Sequence, residues 1–263
     1  MNKNELRILY YDIETSITIY AGFGLGNTYI SHEQILKRPQ VMCISWAWND
    51  GKVQHATFDL KKYDYRKKDD DADYELLKMF SAEIASAHLL VGQNSVGFDL
   101  PTITSRLIKY KLPPLPEVLH DDTYLQTKKK VRHISHKLDD VGDFLGYGNK
   151  APHGNGMDWW IRIAQGDESI LKKMVKYCDE DVNKLRKIYK HQLPYVKSSL
   201  NMAVFRDGKL CCPSPLCGST KLTKYGFKRL KAGKYQRYMC DTCGKADIVD
   251  GVNLLKNSSK IVR

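Results

Sequence analysis

No run of apolar residues in this chain is long enough to cross a bilayer, and Met1-Asn2-Lys3-Asn4-Glu5 has no hydrophobic stretch behind it of the kind a secretory leader carries. Both absences point away from membranes and from an oxidising compartment. The seven cysteines are therefore expected to be reduced, in a cytoplasm. Cysteine is also scarce before position 211, where only Cys43 and Cys178 occur, far apart, so no disulfide framework is expected there. The glycines of 21–27 do not fall into G-x-G-x-x-G or Walker spacing, which leaves a flexible loop as the better reading. His120, His133, His136, His153 and His191 show no metal-ligand spacing. Acid is in short supply overall: 30 Asp and Glu against 42 Lys and Arg give a net charge of +12. That excess attracts polyanions, although anionic lipid or plain solubility would also account for it.

What is present suits a soluble protein of more than one domain, with 263 residues, 42% of them hydrophobic and 27% charged. The expected organisation is a large domain over 1–196, a linker over 197–210, a cysteine module over 211–250 and a tail over 251–263. Apolar and aromatic runs at 6–11, 41–48 and 52–60, the last two separated by Asn49-Asp50-Gly51, read as three antiparallel strands. A basic-to-acidic switch at 61–73 reads as a solvated loop before a helix over 74–87, whose Leu76, Leu77, Phe80 and Ile84 share a face. The strand at 88–91 then follows a crossover, which makes it parallel to its neighbour. A helix opening at Leu100-Pro101, a last strand over 117–124, a short helix over 137–145, a loop over 146–156 and a long helix over 168–193, ended by Pro194, complete the pattern. The fold class expected is α/β: a ribonuclease-H-like mixed sheet, three antiparallel strands then parallel ones, flanked by helices, with a small zinc ribbon appended.

Three carboxylate motifs occur in order. In Tyr10-Tyr11-Asp12-Ile13-Glu14-Thr15, strand alternation puts Asp12 and Glu14 on one face. In Asn94-Ser95-Val96-Gly97-Phe98-Asp99 the acid lies between a strand and a helix, where an N-cap is the competing reading. In Tyr177-Cys178-Asp179-Glu180-Asp181 the first and last residues are one helical turn apart on one face, with Asp179 and Glu180 turned away. Asp121, Asp122, Asp139 and Asp140 are rival acids, of which Asp139 and Asp140 are read as surface or secondary contacts. Each motif alone is commonplace, and their combination is what carries information.

In this order the motifs resemble those of the DEDD 3′-to-5′ exonucleases, in the subgroup with tyrosine in the third motif, as in the proofreading domains of family A and B DNA polymerases. The resemblance extends over about residues 5–195 and also takes in small stand-alone exonucleases of bacteria and phages, which suggests a bacterial cell or a phage-infected host. It implies metal ligation by Asp12, Glu14, Asp99 and Asp181, positioning of the attacking water by Tyr177, and contacts of Asn94, Phe98 and Thr15 with the terminal nucleotide. Lys176 stands where the histidine subgroup would have its histidine. Oxygen donors favour two Mg²⁺ or Mn²⁺ over zinc, and four crowded carboxylates should raise the proton affinity of at least one of them. The expected activity is hydrolysis at 3′ ends of nucleic acid, releasing nucleoside 5′-monophosphates, with DNA favoured over RNA. The alternatives are structure-selective endonucleolytic cutting at the same site and an inactive binding or recruitment protein. Single-stranded 3′ ends are the expected partner, with replication or repair proteins as candidates; neither membrane binding nor an oligomeric state is predicted.

Cys212-x₄-Cys217 and Cys240-x₂-Cys243 have the spacing of a zinc ribbon holding one structural Zn²⁺, with Cys211 competing for the place of Cys212. A redox pair at Cys240 and Cys243 is the lesser reading. Between the knuckles Lys221, Lys224, Lys228, Arg229, Lys231, Lys234 and Arg237 alternate with Tyr225, Phe227, Tyr235 and Tyr238, without an acid. This stretch looks like ribbons of some transposase-associated proteins. Cations and rings together suit strand binding, for which Lys224, Lys228, Arg229 and Arg237 are the candidates. A merely structural ribbon and a protein-binding one are the competing readings.

Overall fold

Alternation of apolar and acidic side chains makes Ile8–Thr15 (β1) a strand with two different faces. Leu9, Tyr11 and Ile13 enter the core, where the Tyr11 ring lies 5.6 Å from that of Phe80, and the even positions carry Asp12 and Glu14 on the opposite face. The computed structural model describes residues 6–23, 29–148, 157–196, 198, 200–206, 210–230, 233–246 and 248–249. Most of the glycine loop at 21–27, most of the loop at 146–156, His153, Lys231 and the tail at 251–263 lie outside them.

The chain divides into two compact units, Arg7–Leu125 with His133–Ile188, and Gln126–Arg132 with Tyr189–Arg263 and Met1–Leu6. In the larger unit Ile19–Tyr20 (β2) pairs with Ile35–Lys37 (β3) as a small ribbon that was not expected. Val41–Trp48 (β4) pairs antiparallel with β1 and with Gln54–Thr57 (β5), the latter shorter than the expected 52–60. Tyr74–Ala85 (α1) buries Leu76, Leu77, Phe80 and Ile84, as the periodicity predicts. Leu89–Gly92 (β6) then runs parallel to β1, and Leu119–Asp122 (β7) parallel to β6. The sheet order β5-β4-β1-β6-β7 is the expected ribonuclease-H-like arrangement.

Asp99–Tyr110 (α2) starts at the motif acid, with Pro101 in its first turn. Thr123–Lys130 (α3) begins inside the segment expected to be a strand to 124. The cause is Asp122, whose Oδ1 accepts the Leu125 N–H at 3.1 Å and so caps a helix there. Leu138–Phe144 (α4) matches expectation, whereas Asp158–Ala164 (α5) was not foreseen. Glu168–Val196 (α6) passes through Pro194 instead of ending at it, because a missing N–H in the last turn forfeits only one helical bond.

The acidic run at 69–73 is not simply solvated. Asp73 is fully buried and receives Arg106 Nε and Nη2 at 2.8 and 2.7 Å and the Val41 N–H at 3.1 Å. Asp70 pairs with Lys37, which is buried under the Tyr63 ring. These ion pairs tie α2 and β3 to the loop before α1 across more than thirty residues of sequence. Local charge patterning could not reveal them.

In the smaller unit Leu222–Leu230 (β8), Gly233–Cys240 (β9) and Ile248–Val249 (β10) form a sheet in the order β10-β9-β8.

Candidate metal and nucleic-acid sites

β1 and α6 together build an acidic cluster. Carboxylate oxygens of Asp12, Glu14 and Asp181 all lie within 4.8 Å of one another, with Asp181 buried and the other two half-buried. Hydrophobic partners explain why α6 lies here: Met174, Val175 and Cys178 join the buried cluster, Cys178 lying beside Cys43, the β4 partner of Glu14. Asp12 pairs with Ser45 on β4 and Glu14 with Cys43, so these side chains share the face that α6 covers. Beyond Glu14 the register slips, Ser16 bonds to Gln40 through Ser16 N–H at 2.8 Å, and the strand ends.

Asp99 stands outside that three-acid set but against the same strand. β6 pairs with β1 only as far as Tyr10, and the Ile13 N–H beyond it donates to the Asp99 carboxyl. Asp99 is thus not the N-cap of α2; Phe98 holds that position and Asp99 is the first helical residue. Burial raises the Asp99 carboxyl to about 7, against the pull of N–H donors from Asp99 itself and Ile13, and nearby Asp122 raises it further.

Tyr177, half-buried against the core, lies one turn before Asp181 on α6. Asp179 accepts from Ser45 Oγ, on the β4 residue opposite Asp12, at 2.7 Å and binds His55 Nδ1 at 3.0 Å. Asp139 pairs with Lys184 at 2.7 Å, holding α4 to α6. Asn94 takes a left-handed backbone (φ 57°) and its carbonyl accepts the N–H groups of Gly97 and Phe98, so the Phe98 ring is half-exposed. Asp122 holds this loop: Oδ1 accepts the Asn94 N–H and Oδ2 the Val96 N–H, each at 3.0 Å. Asp122 was set aside as a rival acid in the sequence, and its role is to shape the loop that presents Asn94 and Phe98.

Two further features had no sequence signal. Trp160 Nε1 on α5 donates to the Thr15 carbonyl at 3.1 Å, fixing the end of β1. Cys178, fully buried, places its Sγ 3.5 Å from Asp12 Oδ2. Burial pushes this thiol well up, and the adjoining Cys43, Asp12 and Glu14 add to the shift, so it remains S–H.

In the smaller unit the four sulfurs of Cys212, Cys217, Cys240 and Cys243 also lie within 4.8 Å of one another, and Cys211 is buried outside the group. Cys212 and Cys243 are 3.5 Å apart, Cys217 and Cys240 3.7 Å. The knuckle backbones aim N–H groups at the sulfurs: Ser214 at Cys212, Ser219 at Cys217, and Cys243 and Thr242 at Cys240. Burial opposes ionisation of Cys240, but those donors bring its thiol down to about 7. Four sulfurs with amide donors fit a tetrahedral thiolate-binding cation such as Zn²⁺, and three clustered carboxylates fit a hard divalent one. Arg206, within the stretch read as a linker, braces the first knuckle through the carbonyls of Cys212, Ser214 and Pro215. Its guanidinium passes so close to Gly218 (φ 66°) that a Cβ there would approach it to 2.5 Å.

The basic excess is concentrated in this part of the chain. Fifteen of the 42 Lys and Arg residues but only four of the 30 acids fall in Tyr189–Arg263. On the hairpin Lys234 Nζ lies 4.1 Å from the Phe227 ring centroid and Arg237 Cζ 4.9 Å from that of Tyr225.

The solved structure of a family B DNA polymerase from the hyperthermophilic archaeon Pyrobaculum calidifontis is similar in fold, with a TM-score of 0.51 and 16% identity over 89% of this chain. The chain matches about a third (32%) of that polymerase's length. Comparison with curated proteins by sequence gave no match. No described helix is long and apolar enough to cross a membrane. The family model RNase_H_2, described as RNase_H superfamily, matches residues 33–193, from just before β3 through the cluster-bearing part of α6, and since that is more than half of the chain, the protein belongs to the RNase_H superfamily.

Proposed function

We propose that this protein is a two-metal-ion 3′-to-5′ exonuclease that releases nucleoside 5′-monophosphates from 3′ ends, DNA in preference to RNA. The observation that carries the reading is the convergence of Asp12, Glu14 and Asp181 oxygens within 4.8 Å, with Asp99 bonded to the strand between the first two. A phosphodiester repels hydroxide, and two divalent cations would supply the countercharge for attack and for the departing 3′-oxygen. Asp12, Glu14 and Asp181 would hold one such ion, and Asp12 would bridge to a second served by Asp99. Tyr177 orients the attacking water from the helical turn before Asp181. Asn94 and Phe98, presented by the Asp122-held loop, engage the terminal nucleotide, and Thr15, its carbonyl fixed by Trp160, lines the end of β1. The zinc ribbon, through Lys224, Lys228, Arg229 and Arg237, retains the substrate.

The superfamily supports a nucleic-acid-cleaving hydrolase in general terms, and the likeness to a DNA polymerase inclines the substrate toward DNA. The test is release of mononucleotides from a 3′-labelled strand in Mg²⁺ or Mn²⁺, abolished by Asp12→Ala, with circular single strands left intact. Cutting of the circle would make the enzyme an endonuclease. Equal degradation by parent and variant would place catalysis elsewhere.

A further inference from the structure

We propose that His55 is a positioning residue for the metal cluster: with Ser45 it clamps both oxygens of Asp179 and so fixes the roll of α6 that brings Asp181 to Asp12 and Glu14. This rests on the nuclease reading above and adds to its machinery a residue outside the three carboxylate motifs.

Strand register builds one half of the clamp. Asp12 on β1 is opposite Ser45 on β4, and Ser45 is in turn opposite His55 on β5. Directly paired residues project from the same face with Cβ atoms about 5 Å apart, so these three side chains form a row across the sheet that starts at the cluster. α6 supplies the other half. Asp179 Oδ1 accepts from Ser45 Oγ at 2.7 Å, and Oδ2 pairs with His55 Nδ1 at 3.0 Å. Each carboxylate oxygen thus has its own partner, from two different strands.

Helical geometry connects the clamp to the metal ligand. At about 100° per residue, Asp179 and Asp181 stand on either side of Cys178, about 100° one way and about 60° the other. Cys178 itself touches Asp12. The direction in which Asp181 points is therefore set by the roll of the helix about its own axis. Burial of Met174, Val175 and Cys178 in the core holds α6 in place, but hydrophobic contact is non-directional. Hydrogen bonds have preferred angles, and the two at Asp179 fall in the same turn as Asp181. A further polar tie, from Arg186 to the carbonyls of Asn49 and Gly51 at 3.3 and 2.6 Å, lies more than a turn beyond Asp181.

Exposure separates this role from plain stability. The His55 side chain is 50% exposed and that of Asp179 24%, and a pair so placed contributes little to folding. Removing the imidazole should leave the fold intact and loosen the aim of Asp181.

The experiment measures Mn²⁺ binding by the full chain through the electron paramagnetic resonance of the free ion, beside urea denaturation, so that neither readout depends on turnover. Asp12→Asn identifies the binding that belongs to the cluster. His55→Ala should weaken that binding about 10-fold, the lower range for an outer partner of a metal site, with the denaturation midpoint near the parent's. Asp179→Ala should lose as much, and the double variant no more than either, because the two residues act as one unit. His55→Asn, whose amide nitrogen stands where the imidazole has Nδ1, should recover most of the affinity. His55→Gln, whose nitrogen stands nearer the place of Nε2, should not. Unchanged Mn²⁺ affinity in His55→Ala, additive losses, equal rescue by the two amide variants, or a midpoint that falls in step with affinity each overturns the proposal. Mn²⁺ binding that Asp12→Asn leaves intact overturns it together with the assignment of the cluster. The expected pattern without any hydrolysis by the parent chain upholds it and instead removes the exonuclease assignment.

Discussion

Cys178 on the long helix contacts Asp12 on the first strand twice, its Sγ lying 3.5 Å from both the carbonyl oxygen and Oδ2 of that residue. A buried thiol thus supports the acid at the centre of the cluster from behind. Cys178→Ala should weaken Mg²⁺ activation by about 10-fold, the lower range for loss of a group that orients a metal ligand, and Cys178→Ser, which keeps a donor, should lose less. The measurement is the Mg²⁺ concentration giving half-maximal rate; identical values for all three proteins would show that the contact is packing alone.

Asp12 and Asp181 are expected to matter far more. Asp12→Asn or Asp181→Asn should reduce the hydrolysis rate by more than about 100-fold, beyond what outer partners of a metal site usually contribute. Circular dichroism and denaturation midpoint should stay near those of the parent. A drop of a few-fold only would disconnect the cluster from catalysis.

Asp99 predicts a pH dependence of stability. Its carboxyl, raised to about 7 from an ordinary 3.8, keeps its proton in the folded protein where the unfolded chain has already released it. Folding is therefore progressively disfavoured by this group as pH climbs from about 4 to about 7, with the full deficit above that window. Without divalent ions, Asp99→Asn should match the parent near pH 4 and show the higher denaturation midpoint at about pH 8. A difference independent of pH would mean that Asp99 is not protonated in the folded state.

Asp122→Ala removes the acceptor for three N–H groups, those of Asn94, Val96 and Leu125. Leaving them without it should cost about 3 kcal/mol in urea denaturation. Asp122→Asn retains acceptor oxygen and should lose less stability, while KM rises more than kcat falls because the loop bearing Asn94 and Phe98 is loosened. If kcat alone falls, the residue acts on the reaction itself.

For the cysteine module, Cys217→Ser should lower zinc content and long-substrate affinity together, since structural zinc supplies much of the folding energy of such modules. Cys211→Ser should retain one zinc per chain. Hydrolysis of a very short oligonucleotide should survive both changes. Zinc loss on substituting Cys211 would exchange it for Cys212 as ligand.

Much of the architecture was legible because it depends on neighbours in sequence. Strand alternation put Asp12 and Glu14 on one side, a four-residue helical step put Tyr177 above Asp181, and the periodicity at Leu76, Leu77, Phe80 and Ile84 marked α1. Boundaries were less legible where one side chain decided them. Asp122 starts a helix that a β-like segment concealed, and α6 continues past Pro194.

The sequence by itself determined the local grammar of this protein: which residues alternate, which share a helical face, and which cysteines come in knuckle-spaced pairs. Only the tertiary structure decided which of the rival acids meet. It joined Asp181 to Asp12 and Glu14, stood Asp99 beside them on the Ile13 N–H, turned Asp179 toward Ser45 and His55, and made Asp122 a loop anchor. It also buried Asp73 against Arg106 and Cys178 under Asp12. The physical reason is range: backbone periodicity is set within a few residues, whereas these contacts depend on strand order and register, which bring together positions 28 to 169 residues apart.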